Sequence, residues 1–315
     1  MSVTTASTNV DPSLLQSVKL LGNQVGRTPL HAITKLFSKP GVQLYAKKEW
    51  EQLSGSVKAR AAYYIFKHAI ESGALSRNTA LLDATSGNTG IAYAKIGHLL
   101  GIPVTLCLPE NASKERKEIL LSLGATIIFT SRFEGTDGAQ AAARELVASH
   151  PHKYFYADQY KNVNNWKAHY HTTAPEIKEA LPGLTHFVAA LGTTGTFVGT
   201  GRRLKELDPS VQLISLQPDN PLHGLEGWKH LETALVPGIY DPSVADHNQE
   251  VGTEEAWEIM KAAWKYEGLR LSPSSAANLA GAIRVATQLE SGTVVTILPD
   301  NADKYSEVVS KLNII

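Results

Sequence analysis

Short runs of β-branched and aliphatic residues, each followed by a longer amphipathic stretch, recur between residues 42 and 299 and constrain this chain more than any other feature. The runs fall at 42–47, 80–83, 104–109, 126–130, 154–157, 186–191, 212–217 and 293–299. Helical periodicity falls between them at 59–72, 88–100, 114–123, 136–149, 196–207, 254–267 and 274–288. A strand that is apolar throughout, rather than at every second residue, is buried on both faces, as in parallel sheets covered by helices. Helices of 10 to 15 residues between such strands are the crossovers of βαβ units. The fold class is therefore α/β. At 315 residues the chain is long enough for two lobes with separate cores. Residues 218–250, with Pro218, Pro221, Pro237, Gly238 and Pro242, show little periodicity and read as a long irregular connection, of the kind that in compact domains is functional or mobile.

Composition excludes several function classes. Thirty basic and thirty acidic residues cancel, so no net field draws in nucleic acid or an anionic membrane. The single cysteine, Cys107, rules out an intrachain disulfide and any two-cysteine zinc motif, and points to a reducing, cytoplasmic setting. No apolar run reaches the length of a membrane span. The polar segment 1–13 reads as a flexible arm and lacks the features of a signal peptide. No metal site is expected: His169 and His171 have no third ligand at useful spacing.

Four segments carry chemistry-bearing residues. In Ser54-Gly55-Ser56-Val57-Lys58, a lysine opens a helix behind a small, polar cap. It is either a solvated helix lysine or a desolvated amine able to form a Schiff base. Thr85-Ser86-Gly87-Asn88-Thr89-Gly90 joins a strand to a helix. It is either an ordinary capped turn or a cradle in which free N–H groups and hydroxyls meet a carboxylate or phosphate. Gly192-Thr193-Thr194-Gly195-Thr196 stands in the same setting and suits a phosphate monoester. It has neither the P-loop pattern nor the third glycine of a dinucleotide fingerprint. Ser272-Pro273-Ser274-Ser275 is a good N-cap, or presents a hydroxyl to a heteroatom of a bound ring. Together, an amine, a carboxylate cradle, a phosphate nest and a ring-nitrogen partner are the protein's contribution to a pyridoxal phosphate site.

In this combination the chain resembles the cysteine synthase family of fold type II pyridoxal-phosphate enzymes, most of all its cysteine synthase B and O-phosphoserine sulfhydrylase branch. The resemblance is carried by Gly26-Arg27-Thr28-Pro29-Leu30, Gly55-Ser56-Val57-Lys58, Ala84-Thr85-Ser86-Gly87-Asn88-Thr89-Gly90, Leu191-Gly192-Thr193-Thr194-Gly195-Thr196 and Ser274-Ser275, and spans nearly the whole chain. It implies a tryptophan synthase β-like architecture. A small mobile lobe would run over 45–160, and a larger lobe over 1–44 and 161–315 would carry the phosphate loop. It implies that Lys58 holds pyridoxal 5′-phosphate and acts as catalytic base, that Gly192, Thr193, Thr194, Gly195 and Thr196 bind the phosphate, that Asn88 contacts the 3′-oxygen, and that Ser274 meets the ring nitrogen. Thr85, Ser86, Gly87, Thr89 and Gln159 would bind the substrate carboxylate. The activity implied is β-replacement: Lys58 removes the α-proton of O-acetylserine or O-phosphoserine, the β-substituent departs, and a sulfur nucleophile adds to give L-cysteine. A serine at the ring nitrogen, rather than a carboxylate, implies a neutral ring. A homodimer is implied, with a sulfur-carrier protein among the candidate donors.

The family pattern is broken at Gln52-Leu53, Ala59, Ala174, Pro273 and Ala276, and within Asp300-Asn301-Ala302-Asp303-Lys304-Tyr305. Two other readings keep the cofactor. One is β-replacement with another nucleophile (diaminopropionate-type products) or plain β-elimination; the other is a cofactor- or partner-binding homologue with little turnover.

Overall fold

Two parallel sheets account for the apolar runs. The computed structural model describes residues 10–85 and 87–314. Among these, the strands in chain order are β1 (Leu30–Ala32), β2 (Val42–Lys48), β3 (Ala80–Ala84), β4 (Val104–Pro109), β5 (Thr126–Thr130), β6 (Tyr154–Tyr156), β7 (His186–Ala190), β8 (Gln212–Pro218), β9 (His247–Val251) and β10 (Gly292–Leu298). The helices are α1 (Pro12–Leu21), α2 (Lys58–Glu71), α3 (Asn88–Leu100), α4 (Lys114–Ser122), α5 (Gly135–Ser149), α6 (Val163–His171), α7 (Thr173–Ala180), α8 (Gly195–Leu207), α9 (Thr253–Ala262), α10 (Pro273–Gln288) and α11 (Ser306–Lys311). The chain divides into two compact units, one formed by 10–25 with Ala62–Asp158 and the other by Gly26–Ala61 with 159–314.

The first unit holds a four-stranded sheet, ordered β5-β4-β3-β6 and parallel throughout. All six residues of β4 are buried, as its unbroken apolar sequence requires. Cys107 packs there among Leu82, Ala84, Ala139, Ala143 and Tyr154. Burial pushes its thiol up to about 11, so it is a packing residue and not a nucleophile. Gly101, at φ 67°, ends α3 in the left-handed conformation that glycine adopts most readily.

The second unit holds six strands, ordered β1-β2-β10-β7-β8-β9, with only the β1–β2 pair antiparallel. One core cluster includes α9 and α10 residues such as Ala256, Met260, Ala277 and Leu279. Another draws on Ala174 and Ile177 of α7 and Phe197 and Leu204 of α8. In each unit the strand order reverses at one place. From β7 the chain proceeds outward to β8 and β9, then returns to set β10 on the other side of β7; likewise β6 returns to the free side of β3. Ligands of open α/β sheets bind beyond the carboxyl ends of the strands at such switch points. The loops there are 191–195 after β7, 299–301 after β10, 85–87 after β3 and 157–159 after β6.

Several elements differ from expectation. Of the segment 1–13 expected to be a flexible arm, residues 1–9 lie outside the described residues, while Pro12 and Ser13 belong to α1, which Asp11 caps through the backbone of Ser13 and Leu14. Helices α6 and α7 rest on polar sequences, Val163-Asn164-Asn165-Trp166 and Thr173-Ala174-Pro175-Glu176, whose buried faces are narrow. The 218–250 stretch is irregular to residue 241, but it ends in β9, an edge strand of hydrophilic sequence held by parallel pairing to β8. The helix expected to Glu267 gives way after Ala262 to a π turn over Ala263–Glu267. That turn carries the Glu267 carboxylate to the N–H groups of Thr34, Lys35 and Leu36 at 3.0, 2.6 and 2.9 Å. No described helix is long and apolar enough to cross a membrane.

Candidate active site

Lys58 begins α2 at the carboxyl end of β10. Strands β2 and β10 pair in register to Lys48 and Leu298, and the connection that follows β2 is tied to β10 by Glu49 N–H to Leu298 O (3.0 Å) and Val57 N–H to Pro299 O (2.8 Å). This brings Lys58 beside Asp300. Burial of its amine lowers the Lys58 pKa below that of an ordinary lysine, against the opposing pull of the Asp300 and Glu49 carboxylates. The neutral amine, the nucleophilic and basic form, is favoured accordingly. The hydroxyls of Ser54 and Ser56, just before it, are buried without a partner.

The 192–196 loop follows β7, the neighbour of β10. Thr194, at φ 72°, takes the left-handed conformation that a β-branched residue rarely adopts. Its buried Oγ1 has no hydrogen-bond partner. A Cβ at Gly192 would stand 2.0 Å from the Gly227 carbonyl oxygen, and one at Gly195 2.1 Å from Asn165 Oδ1. Asn165 Nδ2 donates to Gln159 O (2.7 Å) and Thr193 Oγ1 (3.0 Å), joining Gln159, itself buried, to the loop. Strain, an unpaired buried hydroxyl and a backbone with no room for side chains are features of a loop shaped for an anion.

Ser274 lies in the first turn of α10, which Ser272 caps through Ser275 N–H. It is 4% exposed, and its Oγ is 3.2 Å from Ser272 Oγ and 3.4 Å from Asp300 Oδ1.

In the other unit, Thr85, Gly87, Asn88 and Thr89 stand between β3 and α3; Ser86 lies outside the described residues. Thr85 Oγ1 accepts from Gly87 N–H at 3.1 Å and Gly90 N–H at 3.2 Å. With its lone pairs so engaged, its hydroxyl is left to act as a donor, which suits a carboxylate. Arg116, 4% exposed, packs against Gly87, where a Cβ would lie 3.2 Å from its Nε.

Sequence reasoning missed two groups. The first is His169, read only as a rejected metal ligand. Its Nδ1 lies 2.9 Å from Thr173 Oγ1 and its Nε2 3.2 Å from Thr196 Oγ1, so it positions a residue of the phosphate-type loop. Burial, then the charges of Arg60 and Lys58, hold it well below the usual histidine pKa, so it is neutral at pH 7. The unfolded chain takes up a proton below about pH 6.5 that the folded chain refuses, so stability falls as pH drops through that value. His169→Gln is expected to remove roughly 1.4 kcal/mol of the stability lost between pH 7.5 and 5.5. Urea unfolding at both pH values checks this, and an unchanged pH dependence refutes it.

The second is a buried ionic cluster. Arg60, two residues after Lys58, is fully buried and clamps two carboxylates: Glu49 through Nε (2.7 Å) and Nη2 (2.8 Å), and Glu176 through Nη1 (2.7 Å) and Nη2 (2.8 Å). Lys47 adds a contact to Glu176 at 2.8 Å, and Thr28 donates to Glu49 at 2.5 Å. Only the charges were legible in sequence, not their meeting.

The profile of the family described as pyridoxal-phosphate dependent enzyme matches residues 21–300. Cysteine synthase of Aquifex aeolicus is 44% identical over 89% of this chain and 88% of its own length. Cysteine synthase B of Escherichia coli is 35% identical over 90% of this chain and 93% of its own. Among solved structures, the O-acetylserine dependent cystathionine β-synthase of Helicobacter pylori aligns at a TM-score of 0.85 and 33% identity, covering 91% of this chain and 96% of that one. The chain therefore belongs to the pyridoxal-phosphate dependent enzymes and, within them, to the cysteine synthase family. Its fold is the fold type II architecture and its cofactor is pyridoxal 5′-phosphate. The residues present fit that group: a desolvated amine, an unpaired buried hydroxyl in a glycine-flanked anion loop, and a buried serine hydroxyl at a helix start all belong to one unit.

Proposed function

We propose that this enzyme makes L-cysteine by β-replacement on O-acetylserine or O-phosphoserine, with Lys58 as the residue that holds the cofactor and moves the α-proton. The observation that carries the reading is Lys58 itself, an amine whose burial favours its neutral form, in a chain 44% identical to a cysteine synthase. Bound pyridoxal phosphate supplies the electron sink into which the α-carbon's electrons are drawn. The chain's residues do the rest. Gly192, Thr193, Thr194, Gly195 and Thr196 hold the phosphate, Asn88 the 3′-oxygen, and Ser274 the ring nitrogen. Thr85, Ser86, Gly87, Thr89 and Gln159 hold the substrate carboxylate. Lys58 Nζ takes the α-proton, the β-acetoxy or β-phosphate group leaves, and a sulfur nucleophile adds at the β-carbon. The unit containing β3–β6 takes the part of the small mobile lobe drawn over 45–160. The enzyme works in the cytoplasm as a homodimer, with sulfide or a sulfur-carrier protein as donor.

A second reading, β-replacement with a larger thiol, is favoured by the likeness to the H. pylori enzyme. One experiment separates the two. The visible spectrum of the holoenzyme is expected to change on adding O-acetylserine and to return when sulfide is added; return only with homocysteine would favour the second. For O-phosphoserine, Lys229 is the candidate cation. It is 8% exposed and its Nζ lies 5.1 Å from the Tyr160 ring centre. Lys229→Ala is expected to lower O-phosphoserine turnover at least tenfold, about 1.4 kcal/mol, while sparing O-acetylserine. Equal loss on both substrates would exclude that role.

A further inference from the structure

Helix α4 buries two residues, Arg116 and Leu120, one turn apart on its inner face. Leu120 is fully buried and packs toward α3, where a Cβ at Gly90 would lie 3.5 Å from its Cδ2. Arg116, 4% exposed, takes the place one turn earlier, against Gly87, where a Cβ would stand 3.2 Å from its Nε and 3.4 Å from its Cζ. This face of α4 therefore backs the turn from β3 into α3. Local preference does not favour an arginine there. Arg116 lies in the first turn of α4, which Ser113 caps by accepting the Arg116 N–H at 3.4 Å, so its charge opposes the positive end of its own helix. A methionine or leucine would pack against Gly87 without the cost of taking a guanidinium out of water. A residue that breaks the local rule at a buried position points to a use for its charge.

The turn that Arg116 backs opens α3, a helix of 13 residues whose N-cap, Gly87, has no side chain with which to satisfy the first turn. The positive end of α3 and the charge of Arg116 thus meet at Gly87 from two different helices. Burial keeps that charge from being screened by water and salt, and a guanidinium does not lose its proton at working pH. We propose that Arg116 is a specificity-determining residue: its charge, held behind Gly87, makes the loop select substrates with an ionised α-carboxylate over those with an uncharged group in its place. The inference rests on the reading that Thr85, Ser86, Gly87 and Thr89 hold the substrate carboxylate, and it adds to them a group outside the loop. The arriving carboxylate is in turn the kind of anion that a buried guanidinium calls for.

The test titrates the visible spectrum of the holoenzyme with L-serine and with L-serine amide. Both carry the amine and lack a good leaving group, so binding is read without turnover, and only L-serine carries the carboxylate. The unaltered enzyme is expected to bind L-serine far more tightly than the amide. Arg116→Met, which keeps a long side chain against Gly87, is expected to weaken L-serine binding about tenfold, or about 1.4 kcal/mol, and to leave the amide unchanged. Arg116→Lys, which keeps the charge, should retain most of the preference. Equal weakening of both ligands in Arg116→Met shows a structural role and overturns the proposal. An undiminished preference in Arg116→Met, or Arg116→Lys behaving like Arg116→Met, overturns it as well. If Arg116→Met does not fold, Arg116→Gln is judged by the same ratio of affinities. An unaltered enzyme that binds L-serine and its amide alike means that the loop does not hold the carboxylate, and the underlying reading fails with the proposal.

Discussion

Lys58→Ala is expected to lose covalent attachment of the cofactor and to lower β-replacement by about a thousandfold, the usual scale for removing a positioned general base. Nothing else among the described residues combines this amine's burial, its place at the carboxyl end of β10, and the neighbouring 192–196 loop. Lys58→Arg is the sharper variant, because a guanidinium keeps the positive charge but cannot lose a proton to form the imine or act as base. Both variants should fold, since the hydrogen bonds that place the segment come from backbone groups at Glu49 and Val57. Borohydride reduction of the unaltered holoenzyme, followed by peptide mass analysis, should leave the cofactor mass on the peptide containing Lys58. Attachment at another lysine, or full activity in Lys58→Arg, would refute the assignment.

Arg60→Met is expected to cost 3–5 kcal/mol of stability, the scale for breaking a buried ion pair by removing one partner. The loss comes from what remains. Glu49 is fully buried, and without Arg60 its side-chain donors are Thr28 Oγ1 at 2.5 Å and Gln52 Nε2 at 2.8 Å. Glu176 keeps Lys47. Burial raises the Glu176 pKa, but the Arg60 and Lys47 contacts outweigh it and bring the carboxyl down to about 2. Its folded pKa lies below the unfolded value near 4.5, so its contribution is fully present above that pH and is lost as pH falls toward 2. Adding Glu49→Gln to Arg60→Met should recover part of the loss, because the stranded charge is gone. Denaturant unfolding of the single and double variants measures this. A double variant less stable than Arg60→Met would show that the cost is packing and not charge. The cluster also gives Thr28, in the Gly26–Leu30 segment, and Glu176, in α7, a physical role: both converge on Arg60, two residues from Lys58.

Much of the fold was legible because parallel strands are buried on both faces and advertise themselves as unbroken apolar runs. Strands β4 and β5 and helix α3 fall where their runs do, to the residue. The elements not foreseen have weak local signals: α6 and α7 are short and polar, and β9 is a hydrophilic edge strand formed because β8 offers a partner. Lys58, Thr85, Gly192–Thr196 and Ser274 stood out because glycines and hydroxyls between a strand and a helix are visible in one dimension. Asp300, His169 and Arg60 did not, because each acts through a partner distant in the chain.

By itself, the sequence determined the α/β class, the glycine- and hydroxyl-rich loops between strand and helix, and the family, since periodicity and motif spacing are local properties. Only the tertiary structure decided that Asp300 lies under Ser274, that His169 is a neutral support for Thr196, and that Arg60 binds two carboxylates. Those facts depend on strand order and register, which bring residues up to 116 positions apart into hydrogen-bonding distance at the ends of the strands.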